Sequence, residues 1–416
     1  MKTVGSHWIA DVPSGWRIDT PRFAFSVRGE RAKPGMEQMT ASQQYGVIPQ
    51  SEYIKKTGSH VVVVEKDFSI LKAVYPGDFV IHMRSFQGGL ELSEVKGCTS
   101  SAYVMLIPGP QIHSARYYRW VFKCDGYINE LRSTSNLVRD GQAMRWANFI
   151  QVPIPFPPPE VQDSIAKYLD RETERIEELK DSIRAQIDAL EAYKRSLILR
   201  TVTKGLRPNA ELIDSNVDWI GDIPAHWSLR RLGTLFRVRN ERVSALSFEP
   251  LSVTKNGILP QLEHVAKTDY VDNRKLVKAG DFVINSRSDR RGSCGISPRD
   301  GSVSLINTVL ASRDSNEVPP YFGWLLHSEA FSDEFYRWGH GIVADLWTTN
   351  WDDMRRIVVP VPSAEEQDEI CNFLENCTMD LSSTIRAKRR QLEVLESYKQ
   401  SLIYEAVTGK KEVPVQ

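Results

Sequence analysis

The sequence has few cysteines and no long apolar stretch. Its 416 residues include five cysteines, none of which forms a Cys-x-x-Cys pair. This spacing argues against a zinc site or a disulfide framework and favours reduced thiols in a cytoplasmic protein. No run of about 18 apolar residues is present, so no membrane-spanning helix is expected. The first residues also lack the apolar segment of a secretory signal, which again favours the cytoplasm.

Neither sign of charge is in excess. Lysine and arginine together number 53, aspartate and glutamate also number 53, and the formal net charge is 0. A polyanion such as DNA would therefore be bound by local basic patches and not by the whole surface. The length predicts two or more domains, and the 41% hydrophobic and 25% charged residues are typical of a globular protein.

Catalytic motifs are scarce as well. The eight histidines show no metal-ligand spacing, and Thr408–Lys411 ("TGKK") lacks the upstream glycine of a phosphate-binding loop. One alternative is a stand-alone nuclease, in which Asp78 and Glu94 would hold Mg²⁺ and Lys96 would assist the attacking water. The copy of Asp78 in the repeat described next, Asp281, has no following Glu-x-Lys. We predict no catalytic residue, bound metal or cofactor in this chain.

An internal duplication is the main feature that the sequence does contain. Five segments recur in the same order in the two halves, which is typical of a repeated structural unit. They are "WIADVPSGW" (Trp8–Trp16) and "WIGDIPAHW" (Trp219–Trp227), "GDFVI" (Gly77–Ile81 and Gly280–Ile284), "YYRWVF" (Tyr117–Phe122) and "YFGWLL" (Tyr321–Leu326), "VPIPFPPPEVQDSI" (Val152–Ile165) and "VPVPSAEEQDEI" (Val359–Ile370), and "LEAYKRSLI" (Leu190–Ile198) and "LESYKQSLI" (Leu395–Ile403).

Each half ends in a long charged segment with a seven-residue apolar period. Such a period predicts a coiled-coil helix, and the two helices, which share one register, are expected to pair with each other. Leu179, Ile187 and Tyr193 would fill the seam of the first helix. The residues expected to pair the helices are Ile176, Ile183, Leu190, Leu197, Leu381, Leu395 and Leu402.

Helix-start and helix-stop signals bound both segments. Prolines 157–159 precede the first helix, and Ser363 with Glu366 fits a capping box before the second. Gly205 and Gly409 are typical C-terminal stops. We predict an α+β fold with two similar globular domains separated by two long helices, which pack as an antiparallel, pseudo-two-fold coiled coil. The predicted segments are residues 1–156 (first domain), 157–207 (central helical spacer), 208–361 (second domain), 362–411 (C-terminal helical spacer) and 412–416 (tail).

Two loops carry side chains suited to reading DNA. The repeats agree at Gly-Asp-Phe-Val-Ile and diverge directly afterwards, as expected of a shared scaffold with different recognition loops. Arginine can bond guanine in the major groove through two N–H groups, and serine or asparagine can contact bases or phosphates. An ordinary solvated basic loop is the simpler interpretation of the same residues. The candidate DNA-binding residues are Arg84, Gln87, Asn285, Arg287, Arg290 and Arg291.

The ordered, duplicated motifs resemble the specificity subunit of type I restriction-modification systems, and the resemblance covers essentially the whole chain. It implies two target recognition domains, each of which reads one half of a split, asymmetric DNA site. It also implies that the paired helices set the gap and bind two methyltransferase subunits, which use S-adenosylmethionine to methylate adenine N6. Two restriction subunits would add ATP- and Mg²⁺-dependent cleavage of unmodified DNA. The specificity subunit would itself be non-catalytic.

Overall fold

The computed structural model describes residues 8–59, 61, 63–64, 68–134, 144–261, 273–314, 319–341 and 347–414. The chain divides into two compact units. Unit 1 comprises residues 1–183 and 390–416, and unit 2 comprises residues 184–389. The boundaries between the five segments expected from the sequence remain predictions. No helix within the described part of the chain combines the length and apolar character needed to span a bilayer.

The first half of the chain forms short strands and helices followed by one long helix. The strands are β1 (Arg17–Asp19), β2 (Phe25–Val27), β3 (Met39–Ser42), β4 (Gly46–Pro49), β5 (Lys72–Val74), β6 (Phe79–Ile81), β7 (Glu91–Leu92), β8 (Gly97–Thr99), β9 (Val104–Pro108) and β10 (Ile154–Phe156). The helices are α1 (Gln50–Thr57), α2 (Ser85–Gly88), α3 (Ala115–Lys123), α4 (Asp125–Ser133), α5 (Trp146–Phe149) and the long α6 (Pro159–Lys204).

The second half repeats this pattern. Its strands are β11 (Leu212–Asp214), β12 (Asp222–Pro224), β13 (Ser228–Arg231), β14 (Phe236–Val238), β15 (Arg242–Val243), β16 (Leu251–Thr254), β17 (Gly257–Pro260), β18 (Arg274–Val277), β19 (Phe282–Asn285), β20 (Cys294–Ile296), β21 (Gly301–Val303), β22 (Asn307–Ser312) and β23 (Val358–Val361). Its helices are α7 (Leu232–Leu235), α8 (Pro320–Leu326), α9 (Glu329–Arg337), α10 (Trp351–Met354) and the long α11 (Ala364–Val407). The predicted mixture of helix and sheet with two long helices is confirmed.

Each unit is built on the same antiparallel sheet. In unit 1 the strand order is β2-β9-β6-β7, and in unit 2 it is β14-β22-β19-β20. A separate hairpin accompanies each sheet, β3–β4 in unit 1 and β16–β17 in unit 2. The duplicated Phe-Val-Ile residues form β6 and β19, and they are buried because both strands lie inside their sheets. Equivalent segments of the sequence therefore occupy equivalent places in the two units.

Aromatic side chains and one helix end fill the core of each unit. In unit 1, Phe79 and Phe122 pack edge to face with ring centroids 5.1 Å apart. In unit 2, Phe236 and Phe322 do the same at 5.1 Å. Leu402 and Val407, near the end of α11, belong to the core of unit 1, and Val202, near the end of α6, belongs to the core of unit 2. Burial of such side chains stabilises each unit by roughly 1.5–3 kcal/mol per residue.

The long helices begin and end where the sequence signals predict. Proline starts α6, because its missing N–H costs nothing in the first turn. The Ser363 hydroxyl accepts a hydrogen bond of 3.3 Å from the Glu366 backbone N–H at the start of α11. Gly205 and Gly409 follow the helix ends with left-handed φ angles of 69° and 72°. Side chains with a Cβ adopt such angles only with strain.

The seam positions of both helices follow a repeating spacing of four and three residues. Leu179 and Tyr193, which were expected to fill the seam, are 55% and 57% exposed, so that expectation is wrong. Lys180 and Lys194 take these places instead. The buried and half-buried positions are Ile176, Lys180, Ile183, Ile187, Leu190, Lys194 and Leu197 on α6, and Leu381, Ile385, Lys388, Leu392, Leu395, Lys399 and Leu402 on α11.

Lysines in the seam bond the facing helix in each unit. In unit 1, Lys180 Nζ lies 2.5 Å from Glu396 Oε2, and Lys399 Nζ lies 2.7 Å from Glu177 Oε1. Because the higher number on one helix pairs with the lower number on the other, the helices are antiparallel there. In unit 2 the equivalent bonds are Lys194 Nζ to Ser382 Oγ at 2.8 Å and Lys388 Nζ to Gln186 Oε1 at 2.5 Å. Polar groups at seam positions fix the register of a helix pair.

Candidate nucleic-acid interface

The candidate recognition loops leave the central sheet strand of each unit. Loop 1, residues 82–90, connects β6 with β7. Loop 2, residues 285–293, begins with the last residue of β19 and leads to β20. Both loops therefore begin and end on neighbouring antiparallel strands. A loop anchored at both ends on a buried strand pair has its path fixed by the scaffold, while its side chains remain free to vary.

A half-buried arginine paired with a buried aspartate fixes each scaffold just before its loop. Asp78 and Asp281 are 1% and 0% exposed. Arg28 Nε and Nη2 donate to the two Asp78 oxygens at 2.7 Å each. Arg239 makes the same two bonds to Asp281, at 2.7 and 3.0 Å. These hydrogen bonds raise the pKa of both guanidinium groups above the usual value. Such two-point pairing is what allows a carboxylate to be buried.

The same contacts engage the residues of the nuclease alternative. Both Asp78 oxygens accept hydrogen bonds from Arg28, and one also accepts from the Tyr75 backbone N–H at 2.9 Å. The Glu94 side chain is 78% exposed, and Lys96 lies over the Tyr75 ring at 5.6 Å. Within the described ranges no group of three or more His, Cys, Asp or Glu is placed to hold a metal ion. These contacts give the nuclease alternative no support.

Loop 1 presents both of its predicted DNA-binding residues to solvent. Arg84 and Gln87 are exposed, and the short helix α2 brings them together. The Gln43 side chain, from the tip of the β3–β4 hairpin, donates to the Arg84 carbonyl at 3.1 Å. Gly89 passes so close to α3 that an added Cβ would lie 1.8 Å from the Phe122 carbonyl oxygen. The loop is thus seated on α3, and only glycine fits at the point of contact.

Loop 2 gathers the other four predicted residues. Arg290 and Arg291 are exposed, and Asn285 and Arg287 are half-buried. The Asn285 side-chain oxygen accepts a hydrogen bond of 3.1 Å from the Arg287 backbone N–H, so Asn285 supports the loop from within.

Acidic side chains accompany the loop 2 arginines. Arg287 Nε lies 3.2 Å from Asp289 Oδ1, and Arg290 Nε lies 3.8 Å from Asp289 Oδ2. Arg291 pairs with Asp333 of α9. These carboxylates pair with the loop 2 arginines, and exposed pairs of this kind contribute little stability and exchange readily.

A cleft of about 830 Å³ borders loop 2 in unit 2. Its lining includes Arg291 of the loop, Lys255 at the tip of the β16–β17 hairpin, and Trp324 and His327 at the end of α8. His327 lines the cleft together with Lys255 of the hairpin and Gly292 of loop 2. His327 therefore lies beside both the hairpin and loop 2 at the end of α8.

Unit 1 contains an equivalent cleft of about 730 Å³ next to loop 1. Here Gln87 occupies the place of Arg291, and Lys123 occupies the place of His327. Both clefts are also bordered by the repeated Leu-Glu-x-Tyr-Lys segment of a long helix. The matched lining positions are Gln87 and Arg291, Trp120 and Trp324, Lys123 and His327, Asp125 and Glu329, Glu396 and Glu191, and Lys399 and Lys194.

Sequence reasoning missed the residues that hold the loops. Arg28 and Arg239 lie in a further repeat, "FSVRGE" (Phe25–Glu30) and "FRVRNE" (Phe236–Glu241), which a residue-by-residue comparison of the halves reveals. Lys123 and His327 directly follow the repeated "YYRWVF" and "YFGWLL" helices. Because lysine and histidine differ, sequence identity gives no signal for this pair, and their equivalence becomes visible only from their shared place beside the loops.

Comparison with known proteins identifies the fold. No protein-family model matches the chain. Among solved structures, it is similar to a chain from a structural study of complex assembly and conformational transition of the type I R-M system, with a TM-score of 0.71 and 17% identity over 97% of this chain and 100% of that one. It is also similar to the HsdS subunit from Thermoanaerobacter tengcongensis, with a TM-score of 0.53 and 18% identity over 97% and 99%. The chain has the fold of type I specificity subunits.

Proposed function

We propose that this chain is the DNA-recognition subunit of a type I restriction-modification complex, and that each unit reads one half of a split, asymmetric DNA site. One observation carries the proposal. Equivalent loops on equivalent scaffolds bear different exposed side chains, Arg84 and Gln87 in unit 1 and Arg290 and Arg291 in unit 2. Two readers with one architecture and different contact residues suit a target with two different halves.

The chemistry of the loops suits base recognition in the major groove. Arginine presents a planar pair of donors to guanine, and glutamine matches adenine with one donor and one acceptor. On DNA, Arg291 would exchange Asp333 for a base edge or a phosphate, and Arg290 would leave Asp289. Because these ion pairs are exposed, their loss costs little compared with a new contact of about 1–3 kcal/mol to a base.

The long helices would serve as the spacer and as the docking site for partners. Two equivalent apolar patches remain exposed on them: the Tyr193 patch (Ala189 and Tyr193) in unit 2 and the Tyr398 patch (Val394 and Tyr398) in unit 1. Within each patch the two residues lie four apart, on one helix face. Exposed tyrosine beside an aliphatic residue is typical of protein-binding surfaces. Equivalent patches, one in each unit, suit a partner that binds in two copies.

The partners in this proposal are two methyltransferase subunits and two restriction subunits. The methyltransferase subunits would bind S-adenosylmethionine and methylate adenine N6 within the site that this chain selects. The restriction subunits would use ATP and Mg²⁺ to cleave unmodified DNA. The chain itself would bind no cofactor, catalyse no reaction and act in the cytoplasm.

A methylation map tests the proposal directly. A bacterial host without adenine methylation would express the methyltransferase subunit encoded beside this chain, with and without the chain. Single-molecule sequencing should then show adenine methylation at one split motif only when the chain is present. The control is a variant with Arg84→Ala, Arg290→Ala and Arg291→Ala, which should co-purify with its partner but lose methylation at the motif. Absence of a split motif, with both wild-type proteins soluble and associated, would contradict the proposed function.

A further inference from the structure

Lys123 and His327 lie beside equivalent positions of the two recognition loops. Lys123 is the last residue of α3, and its Nζ donates to the Gly88 carbonyl of loop 1 at 2.9 Å. His327 directly follows α8 and lines the unit 2 cleft together with Gly292 of loop 2. Each glycine directly follows an exposed candidate reader, Gln87 in unit 1 and Arg291 in unit 2. The two side chains thus hold equivalent places, although one is lysine and the other histidine.

The tip of the neighbouring hairpin lies beside each loop. In unit 1 the Gln43 side chain, at the tip of β3–β4, donates to the Arg84 carbonyl at 3.1 Å. In unit 2, His327 lines the same cleft as Lys255, at the tip of β16–β17. In unit 1, helix, loop and hairpin are therefore joined beside the cleft by hydrogen bonds to backbone carbonyls. In unit 2 the equivalent segments meet at His327. Because the unit 1 bonds use the loop backbone, they leave the reading side chains exposed.

The surroundings of Lys123 show that its bond is built into unit 1. Its Nζ also pairs with Glu91, a carboxylate that is 3% exposed and forms part of β7. Glu91 follows loop 1 directly, so Lys123 binds the loop backbone and the first residue of the next strand. A lysine at this place is held by a buried charge and has little freedom to turn away.

We propose that Lys123 and His327 are positioning residues, which fix the path of loops 1 and 2 and thereby determine which bases each half-site must contain. The inference rests on the proposed function. Neither residue needs to touch DNA, because each acts on the loop backbone at the glycine beside the reader. Base discrimination by a planar side chain depends on its orientation, so release of the loop backbone should relax specificity in the half that the altered unit reads.

The test uses the full chain with its methyltransferase partner and the methylation map described above. Lys123→Met removes the bonds of the Lys123 ammonium group, and His327→Phe removes the imidazole nitrogens, each at similar side-chain size. Each variant should reduce the discrimination between correct and incorrect bases in one half-site. We expect a roughly tenfold reduction at one or two positions, which corresponds to one weakened base contact. The two variants should affect opposite halves and leave the other half unchanged. A general loss of stability would lower methylation of the whole motif and would not select one half.

Controls and milder variants keep the test decisive. Asp125→Asn and Glu329→Gln alter matched positions in the two clefts and should leave both halves unchanged. Lys123→Arg and His327→Gln retain donors and should restore specificity. Should Lys123→Met fail to fold, Gln43→Ala, which changes an exposed residue, should still broaden the same half-site as the positioning model requires. Unchanged half-site preferences in active variants would overturn the positioning role, whereas no wild-type motif would overturn the proposed function itself.

Discussion

Tyr117 and Val407 lie 290 positions apart in the sequence, and the Tyr117 hydroxyl donates a hydrogen bond of 2.8 Å to the Val407 carbonyl. Val407 is the last residue of α11, where helix carbonyls have no partner within the helix. In unit 2 the equivalent Tyr321 hydroxyl bonds the Val202 carbonyl, also at 2.8 Å, in the last turn of α6. Burial raises the pKa of both phenols well above the usual value, so both remain donors.

These tyrosines give a first prediction about stability. Tyr117→Phe should lower the free energy of unfolding of unit 1 by about 1–3 kcal/mol, because it leaves a buried carbonyl without a donor. Tyr321→Phe should cost at least as much in unit 2, since its hydroxyl also lies 3.2 Å from the Pro360 carbonyl. Urea unfolding of the purified variants measures both losses. The control Tyr193→Phe removes the hydroxyl of an exposed tyrosine. An equal loss of stability there would contradict the role given to the two buried hydrogen bonds.

Much of the scaffold can be read from the duplicated sequence. Because "GDFVI" occurs twice between turn residues, both central strands, the Gly-Asp turns before them and the loops after them are predictable. The proline and glycine signals likewise place the ends of both long helices. In each case a short stretch of sequence determines the conformation of that same stretch of chain.

Contacts between distant segments could not be predicted in the same way. The Tyr117–Val407 bond depends on how the end of α11 returns to the first domain, which no local pattern records. The seam shows a related limit. Leu179 is more apolar than Lys180, yet Lys180 lies in the seam. There its ammonium group donates a hydrogen bond to Glu396 on the facing helix. Whether Lys180 occupies a seam position thus depends on Glu396, which lies 216 residues away in the sequence.

A second prediction concerns the seam itself. Ile176 is 5% exposed and belongs to the core of unit 1, whereas Leu179, three residues later, is 55% exposed. Ile176→Ala should therefore lower the free energy of unfolding by about 2–5 kcal/mol, through lost burial and a cavity. Leu179→Ala removes the same number of carbon atoms and should change it by less than about 0.5 kcal/mol. Thermal unfolding followed by circular dichroism compares the pair, and similar losses would contradict the described seam.

A third prediction concerns acid sensitivity. The hydrogen bond from Lys180 lowers the pKa of Glu396 below its ordinary value of 4.5, and bonds from Lys399 and Lys180 outweigh burial to lower that of Glu177. A carboxylate with a lowered pKa stabilises the folded state fully above 4.5, and the contribution is lost as the pH falls through the folded-state value. The free energy of unfolding of unit 1 should fall accordingly below this pH.

The substitution Lys180→Met isolates that effect. Methionine keeps most of the side-chain length and packs in the seam, but it cannot bond Glu396 or Glu177. Stability near neutral pH should change little, because methionine buries apolar surface in the seam and the two carboxylates that lose Lys180, Glu177 and Glu396, are 40% and 48% exposed and remain hydrated. The decline in acid should become shallower than in the wild-type chain. Urea unfolding midpoints at several pH values measure this slope, and an unchanged slope would show that other groups cause the acid sensitivity.

The fourth prediction concerns partner binding at the Tyr193 and Tyr398 patches. Their tyrosines are 57% and 53% exposed, so Tyr193→Ala and Tyr398→Ala should leave the stability of the isolated chain within about 0.5 kcal/mol of wild type. Each single variant should retain one methyltransferase subunit, and the double variant should retain none, because a central aromatic side chain often contributes 2 kcal/mol or more to an interface, roughly 30-fold in affinity. Native mass spectrometry of the co-expressed proteins counts the bound copies.

Asp188→Ala and Glu393→Ala change matched exposed positions on another face of each helix and should leave both copies bound. Two copies retained by the double tyrosine variant would place the partner elsewhere on the chain.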